Sequence, residues 1–216
     1  MSCEVWFAIF SRLNIDFLIM YEDIAINQSK IHPRRYHELI EQFGSAKSLL
    51  KQTDQFYEVL NLKPSVWKKL QRPDDHKITH TLNWVEKNQI TLLKDTDKGY
   101  PLRLKELPCS PPLLYIKGNV KSLNKPGISI VGSRNASFYG LENTKTFAYD
   151  LAKSGYTIIS GLAIGVDYTA HNACLDANQD SIAVIGLGID NITPVQNRHL
   201  AKRIANRGCI VSEMPI

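Results

Sequence analysis

From residue 127 onward the sequence repeats one unit: a short, nearly unbroken apolar run, a loop of small residues, and a stretch with helical spacing. The runs are Ile128-Ser129-Ile130-Val131, Tyr156-Thr157-Ile158-Ile159, Ile182-Ala183-Val184-Ile185 and Cys209-Ile210-Val211. Between them lie helical stretches from Tyr139 to Lys153, from about Val166 to Ala177 and from near Val195 to Asn206. A strand buried on both sides reads as a continuous apolar run, and a connection one helix long returns the chain parallel to where it started. The pattern therefore specifies an α/β domain over residues 127–216, a Rossmann-like parallel sheet with helices on both faces.

The first part of the chain has a different period. Val5, Trp6, Ile9, Phe10 and Leu13 recur at spacings of three and four, as do Tyr36, Leu39, Ile40 and Phe43. Pro33 suits a first helical turn, and Gly44-Ser45 stops one helix and starts the next. Further starts fall at Thr53-Asp54, Pro64-Ser65 and Asp74-Asp75, the last leading through Leu82, Trp84 and Val85. Residues 1–88 thus predict a small all-α domain of short helices, SAM-like or helix-hairpin-helix in layout. Residues 89–126 hold two short strand candidates, Ile90-Thr91-Leu92-Leu93 and Leu113-Leu114-Tyr115-Ile116. The intervening text is rich in turns, with Pro101, Pro108, Pro111 and Pro112, and reads as an extended linker.

Charge and cysteine content remove several classes of function. The net charge of +5 lies mostly after residue 100, which permits a polyanionic partner there. Cys3, Cys109, Cys174 and Cys209 show neither a CxxC pair nor ligand spacing, so neither a zinc ribbon nor a disulfide framework is expected. No long apolar run suggests a membrane span, and the start, MSCEVWFAIFSRLN, lacks a cationic leader. The expected compartment is the cytoplasm.

In open parallel sheets the ligand sits beyond the carboxyl ends of the strands, so the informative residues are those that follow each run. After the first come Gly132, Ser133, Arg134 and Ser137, then Phe138 and Tyr139. Small residues let the backbone approach a ligand, hydroxyls donate, and the guanidinium is a fork suited to phosphate. After the second come Ser160, Gly161 and Gly165, feeding a helix whose first N–H groups and dipole favour an anion. After the third come Gly186 and Gly188. No G-x-G-x-x-G follows the first strand, no acidic residue ends the second, and no G-x-x-x-x-G-K-[ST] occurs, so neither a dinucleotide nor a nucleoside triphosphate is indicated. A row of anion-binding loops without a cofactor fingerprint suits a phosphodiester chain, with Phe138 and Tyr139 as candidates for stacking on bases.

Four blocks in order, IVGSRNASFYG at 130–140, SGLAIGVDYTAH at 160–171, AVIGLGID at 183–190 and IVSEMP at 210–215, resemble those of the DNA processing protein A family (DprA, also called Smf). Tyr100-Pro101-Leu102-Arg103-Leu104, Pro111-Pro112 and Tyr115-Ile116-Lys117-Gly118-Asn119 resemble the family's lead-in. The resemblance implies a non-enzymatic binder of single-stranded DNA in natural transformation. Such a protein protects the incoming strand and loads the recombinase RecA, and a homodimer is its expected state. It implies no cofactor and no metal. By position Arg134 corresponds to the family's DNA-contacting arginine, and Gly132, Ser133, Ser160, Gly161 and Gly165 to its phosphate-facing loops. Two departures accompany it. The chain stops at Ile216, where family members continue through a Phe-Pro-x-Arg-Asn-Arg block, so a C-terminally truncated domain is expected. Thr193-Pro194-Val195-Gln196 stands where the family often shows Tyr-Pro and a basic residue.

Other readings weigh less. Asp167 and His171 share a helix face without a neighbouring nucleophile, and His76 and His80 lack a third ligand, so both pairs are expected to be structural. A phosphoribohydrolase-like enzyme on a related scaffold would need a P-G-G-x-G-T loop, which is absent.

Overall fold

The helices of the first part of the chain begin where backbone chemistry dictates. The computed structural model describes residues 15–51 and 62–216. The patterns at Val5 to Leu13 and at Thr53-Asp54 fall outside those residues. Contacts divide the chain into Met1–Lys87 and Asn88–Ile216.

The first unit contains α1 (Ile15–Ser29), α2 (Pro33–Phe43), α3 (Ala46–Leu50), α4 (Pro64–Gln71) and α5 (Asp75–Lys87). Proline opens α2 and α4, where its missing N–H costs nothing. Gly44 closes α2 in the left-handed conformation, its N–H donating to the Ile40 carbonyl at 2.7 Å. Ser45 then caps α3 by accepting the Ser48 N–H at 3.1 Å. One core cluster of the unit is Ile26, Ile31, Tyr36, Leu39, Leu49, Leu62, Trp67 and Leu70.

The second unit holds β1 (Ile90–Lys94), α6 (Leu102–Lys105), β2 (Leu113–Gly118), β3 (Gly127–Ser129), α7 (Phe138–Lys153), β4 (Thr157–Ser160), α8 (Val166–Asp176), β5 (Ser181–Val184), α9 (Arg198–Arg207) and β6 (Cys209–Ser212). The six strands form one sheet in the order β1-β2-β6-β5-β4-β3. Strands β3 to β6 are mutually parallel, while β2 pairs antiparallel with both β1 and β6. The two short strands expected within the linker stretch are present, and they join the same sheet as the parallel strands. Pro101, Pro108, Pro111 and Pro112 lie between β1 and β2 rather than within them, and Leu93, Tyr100, Leu114 and Ile116 pack with Ile182, Cys209 and Val211 in one core.

Helical cover exists on both faces, but unequally. Each crossover from β3 to β6 advances one strand in the same direction, and right-handed crossovers without a reversal must all pass over the same side. Accordingly α8 packs between α7 and α9. Beneath α7 and α8, Ala148, Ala152, Ala170, Ala173, Cys174 and Ala177 meet Ile158. Alanines and a cysteine at these positions let the helices lie close to the sheet. The opposite face is covered by the one-turn α6 and the 3-10 turn Val120–Asn124, through Leu104, Val120 and Leu123. It keeps an open apolar groove of about 1010 Å³ along β4, β5 and β6.

Candidate nucleic-acid interface

With β3, β4 and β5 side by side and parallel, their following loops necessarily fall on one rim. The sequence-predicted residues are thus brought together, but they do not all turn outward.

The loop after β3 is the most open. Gly132, Ser133, Arg134 and Ser137 are exposed. Ser137 caps α7, its Oγ accepting the Gly140 N–H at 3.1 Å, and Ser133 Oγ accepts the Asn135 N–H at 3.0 Å. Both hydroxyls are used as acceptors, which leaves each its own proton to donate outward. The first two amides of α7, those of Phe138 and Tyr139, have no acceptor among the described residues. Helix geometry leaves such donors unpaired, and the dipole of a 16-residue helix adds partial positive charge at this end. Arg134 makes no hydrogen bond or ion pair among the described residues. Phe138 and Tyr139 are 81% and 74% exposed, unusual for large apolar side chains unless something covers them.

The loop after β4 is built differently. Ser160 is buried and its hydroxyl donates to the Ile130 carbonyl at 2.6 Å, tying β4 to the end of β3. The Gly161 N–H donates to Asp167 Oδ2 at 3.1 Å. Ser160 and Gly161, expected to face phosphate, therefore have their donors directed into the protein, because a buried hydroxyl and a buried carboxylate both demand partners. Gly165 is the member of this trio whose N–H has no acceptor among the described residues. It holds φ +79°, and a Cβ there would come within 2.4 Å of the Ser133 carbonyl oxygen. Val166 N–H donates to that same carbonyl at 3.2 Å, so the first two loops are fastened back to back.

After β5, Gly186 is exposed with open space around its α-carbon, whereas Gly188 is hemmed in by Asp190 and the Pro215 carbonyl. Ser212 Oγ donates to the Leu187 carbonyl at 2.6 Å and pins this loop to β6. The Thr193-Pro194 peptide is cis, and beyond it Asn197, buried, donates through Nδ2 to the Leu162 carbonyl at 2.8 Å. Sequence reasoning missed Asn197 and the inward role of Asp167.

The two histidine-bearing pairs differ in environment. His171 is fully buried on α8, its Nδ1 2.7 Å from Ser181 Oγ, which in turn lies 2.9 Å from the Ile158 carbonyl. Burial pushes the imidazole down to about 4, against an opposing pull from Asp167. His76 and His80 are exposed on α5, and no group of three or more metal-ligating side chains occurs among the described residues. Cys174 and Cys209 are buried, and burial raises both thiols, Cys209 to about 12. Among the described residues no helix is long and apolar enough to cross a membrane.

Comparison with known proteins places the chain in one family. The model of the family described as DNA recombination-mediator protein A matches residues 91–216. Protein Smf of Synechocystis is 44% identical over 135 residues, covering 61% of this chain and 34% of that protein. The DNA processing protein DprA of Streptococcus pneumoniae is 38% identical over 117 residues, 54% of this chain and 41% of that protein. The chain thus spans well under half the length of these curated relatives. The X-ray structure of DNA processing protein A from Streptococcus pneumoniae superposes with a TM-score of 0.75 at 27% identity, over 90% of this chain and 67% of that one. The structure that describes the single-stranded DNA binding mode of DNA processing protein A from Helicobacter pylori gives a TM-score of 0.50 at 33% identity, with 59% of each chain covered.

Proposed function

Because the chain belongs to the DNA recombination-mediator protein A family, we propose that its second unit binds single-stranded DNA along the rim formed by the loops after β3, β4 and β5, without chemistry on the strand. The observation that carries this reading is the loop after β3. Unpaired amides at the start of α7, an unengaged guanidinium at Arg134 and two exposed aromatic rings lie within six consecutive residues, 134–139. Amides and guanidinium suit phosphate, the rings suit bases in any order, and a strand free to unstack satisfies both.

Within that loop we assign Gly132, Ser133, Arg134 and Ser137 to the backbone of the strand, and Phe138 and Tyr139 to its bases. Gly165 and Gly186 extend the track, with Gly188 beside them. Ser160 and Gly161 support it from within. The family reading extends to protection of incoming DNA in transformation, delivery to RecA, self-association and a cytoplasmic location.

The test is fluorescence anisotropy of a labelled oligothymidylate titrated with the protein over a series of salt concentrations. Affinity should fall linearly on logarithmic axes as salt rises. Duplex DNA of the same length should bind more weakly, and equal affinity for both forms would refute the assignment.

A further inference from the structure

The loop 161–165 adopts a path that its own residues do not favour. Leu162, a branched residue with a buried side chain, sits at φ +61°, and Gly165 follows at +79°. Such a path persists only where neighbours over-determine it, and two buried polar side chains do so here. Asp167 is 7% exposed, and its Oδ2 accepts from Gly161 N–H at 3.1 Å and from Ala163 N–H at 3.3 Å. Asn197, 2% exposed and arriving from the segment before α9, donates to the Leu162 carbonyl between those two amides at 2.8 Å. Alternate peptide groups of the loop are thereby drawn inward, to Asp167 and to Asn197. The amides of Ile164 and Gly165, next in sequence, have no acceptor among the described residues.

We infer that Asp167 is a positioning residue for the DNA backbone: it touches no ligand, but by holding Gly161 and Ala163 inward it sets the Ile164 and Gly165 amides on the rim beside Ser133. Asn197 acts on the same loop from the other side. The inference rests on the single-strand reading above. It differs from the idea that every amide of this loop meets phosphate, and it explains why a buried carboxylate lies under a rim meant for anions. The function requires an oxygen acceptor at that point, not a negative charge.

The experiment compares Asp167→Ala, Asp167→Asn, Asn197→Ala and Arg134→Ala in the full chain by oligothymidylate anisotropy, with thermal melts to confirm folding. Amide proton shifts and hydrogen exchange are read at Gly161 and Ala163. Losing a buried acceptor shared by two donors is worth about a tenfold weakening in Asp167→Ala. Asp167→Asn keeps an acceptor oxygen, so its affinity should stay within about threefold of the parent while its Gly161 and Ala163 amides remain protected. Asn197→Ala should weaken binding in the same direction as Asp167→Ala, and decides the matter should the latter not fold. A folded Asp167→Ala that binds like the parent, alongside a weakened Arg134→Ala, overturns the positioning role and leaves the single-strand reading intact. An Asp167→Asn as weak as Asp167→Ala also overturns it. A parent chain that binds no oligothymidylate overturns both.

Discussion

Arg134 is the residue with most to gain from a ligand. It gives up no internal bond on binding, so Arg134→Ala should leave the melting temperature unchanged and weaken oligothymidylate binding for every sequence alike. Loss of one phosphate contact on a single strand should lower the salt slope by about 0.7. Gly165 makes the opposite prediction. Its positive φ and the Ser133 carbonyl 2.4 Å from any Cβ leave no room for a side chain, so Gly165→Ala should cost roughly 1–3 kcal/mol in chemical denaturation. Binding should fall as well, since the first loop must shift. His171 supplies a pH dependence. Its folded value of about 4 lies below the ordinary 6.5, so the unfolded chain binds the extra proton. The stability this group contributes is whole above about pH 6.5 and is lost as pH falls toward 4, on the order of 3 kcal/mol across that window. Urea midpoints measured through this range should drop with acid, and the drop should shrink in His171→Gln.

At the scale of elements, α7 presents the first loop, and its cap is the testable joint. Ser137→Ala removes the acceptor for the Gly140 amide and should cost about 1 kcal/mol, read as a lower denaturant midpoint. The runs at 156–159, 182–185 and 209–211 were legible as strands because buried parallel strands need no alternation; that at 128–131 was read too long and too buried, since β3 ends at Ser129 on the sheet edge and Val131 is 73% exposed. Helix starts at Pro33, Ser45, Pro64 and Asp74-Asp75 were legible because caps are local chemistry; Asp74 Oδ1 indeed accepts the Lys77 N–H at 3.1 Å. The inward direction of the Gly161 amide was not legible. It depends on a side chain six residues later folding back, and no local rule reports where a carboxylate turns. Nor was Asn197 legible, since it reaches Leu162 across 35 positions of sequence. In 89–126 both short strands were legible, but not their place in the sheet: prolines mark where a strand cannot run, whereas the partner of β2 lies nearly a hundred residues on, as the pairing of Tyr115 with Ser212 shows.

For the whole molecule, that long-range pairing makes the second unit larger than its parallel part. A polypeptide of residues 88–216 retains both hydrophobic clusters of that unit and should melt cooperatively by circular dichroism. One of residues 127–216 loses Leu93, Tyr100, Leu114 and Ile116 from the core and bares one edge of β6, and should not. The position of β6 has a further consequence. It comes after the other five strands in the chain, yet it lies inside the sheet, between β2 and β5. On the ribosome, β1 and β2 must wait as an isolated hairpin, of a kind only marginally stable in water, while the parallel strands assemble without them. Only when residue 212 has left the exit tunnel can the two halves be joined, so the antiparallel and parallel strands meet after all of them have been made.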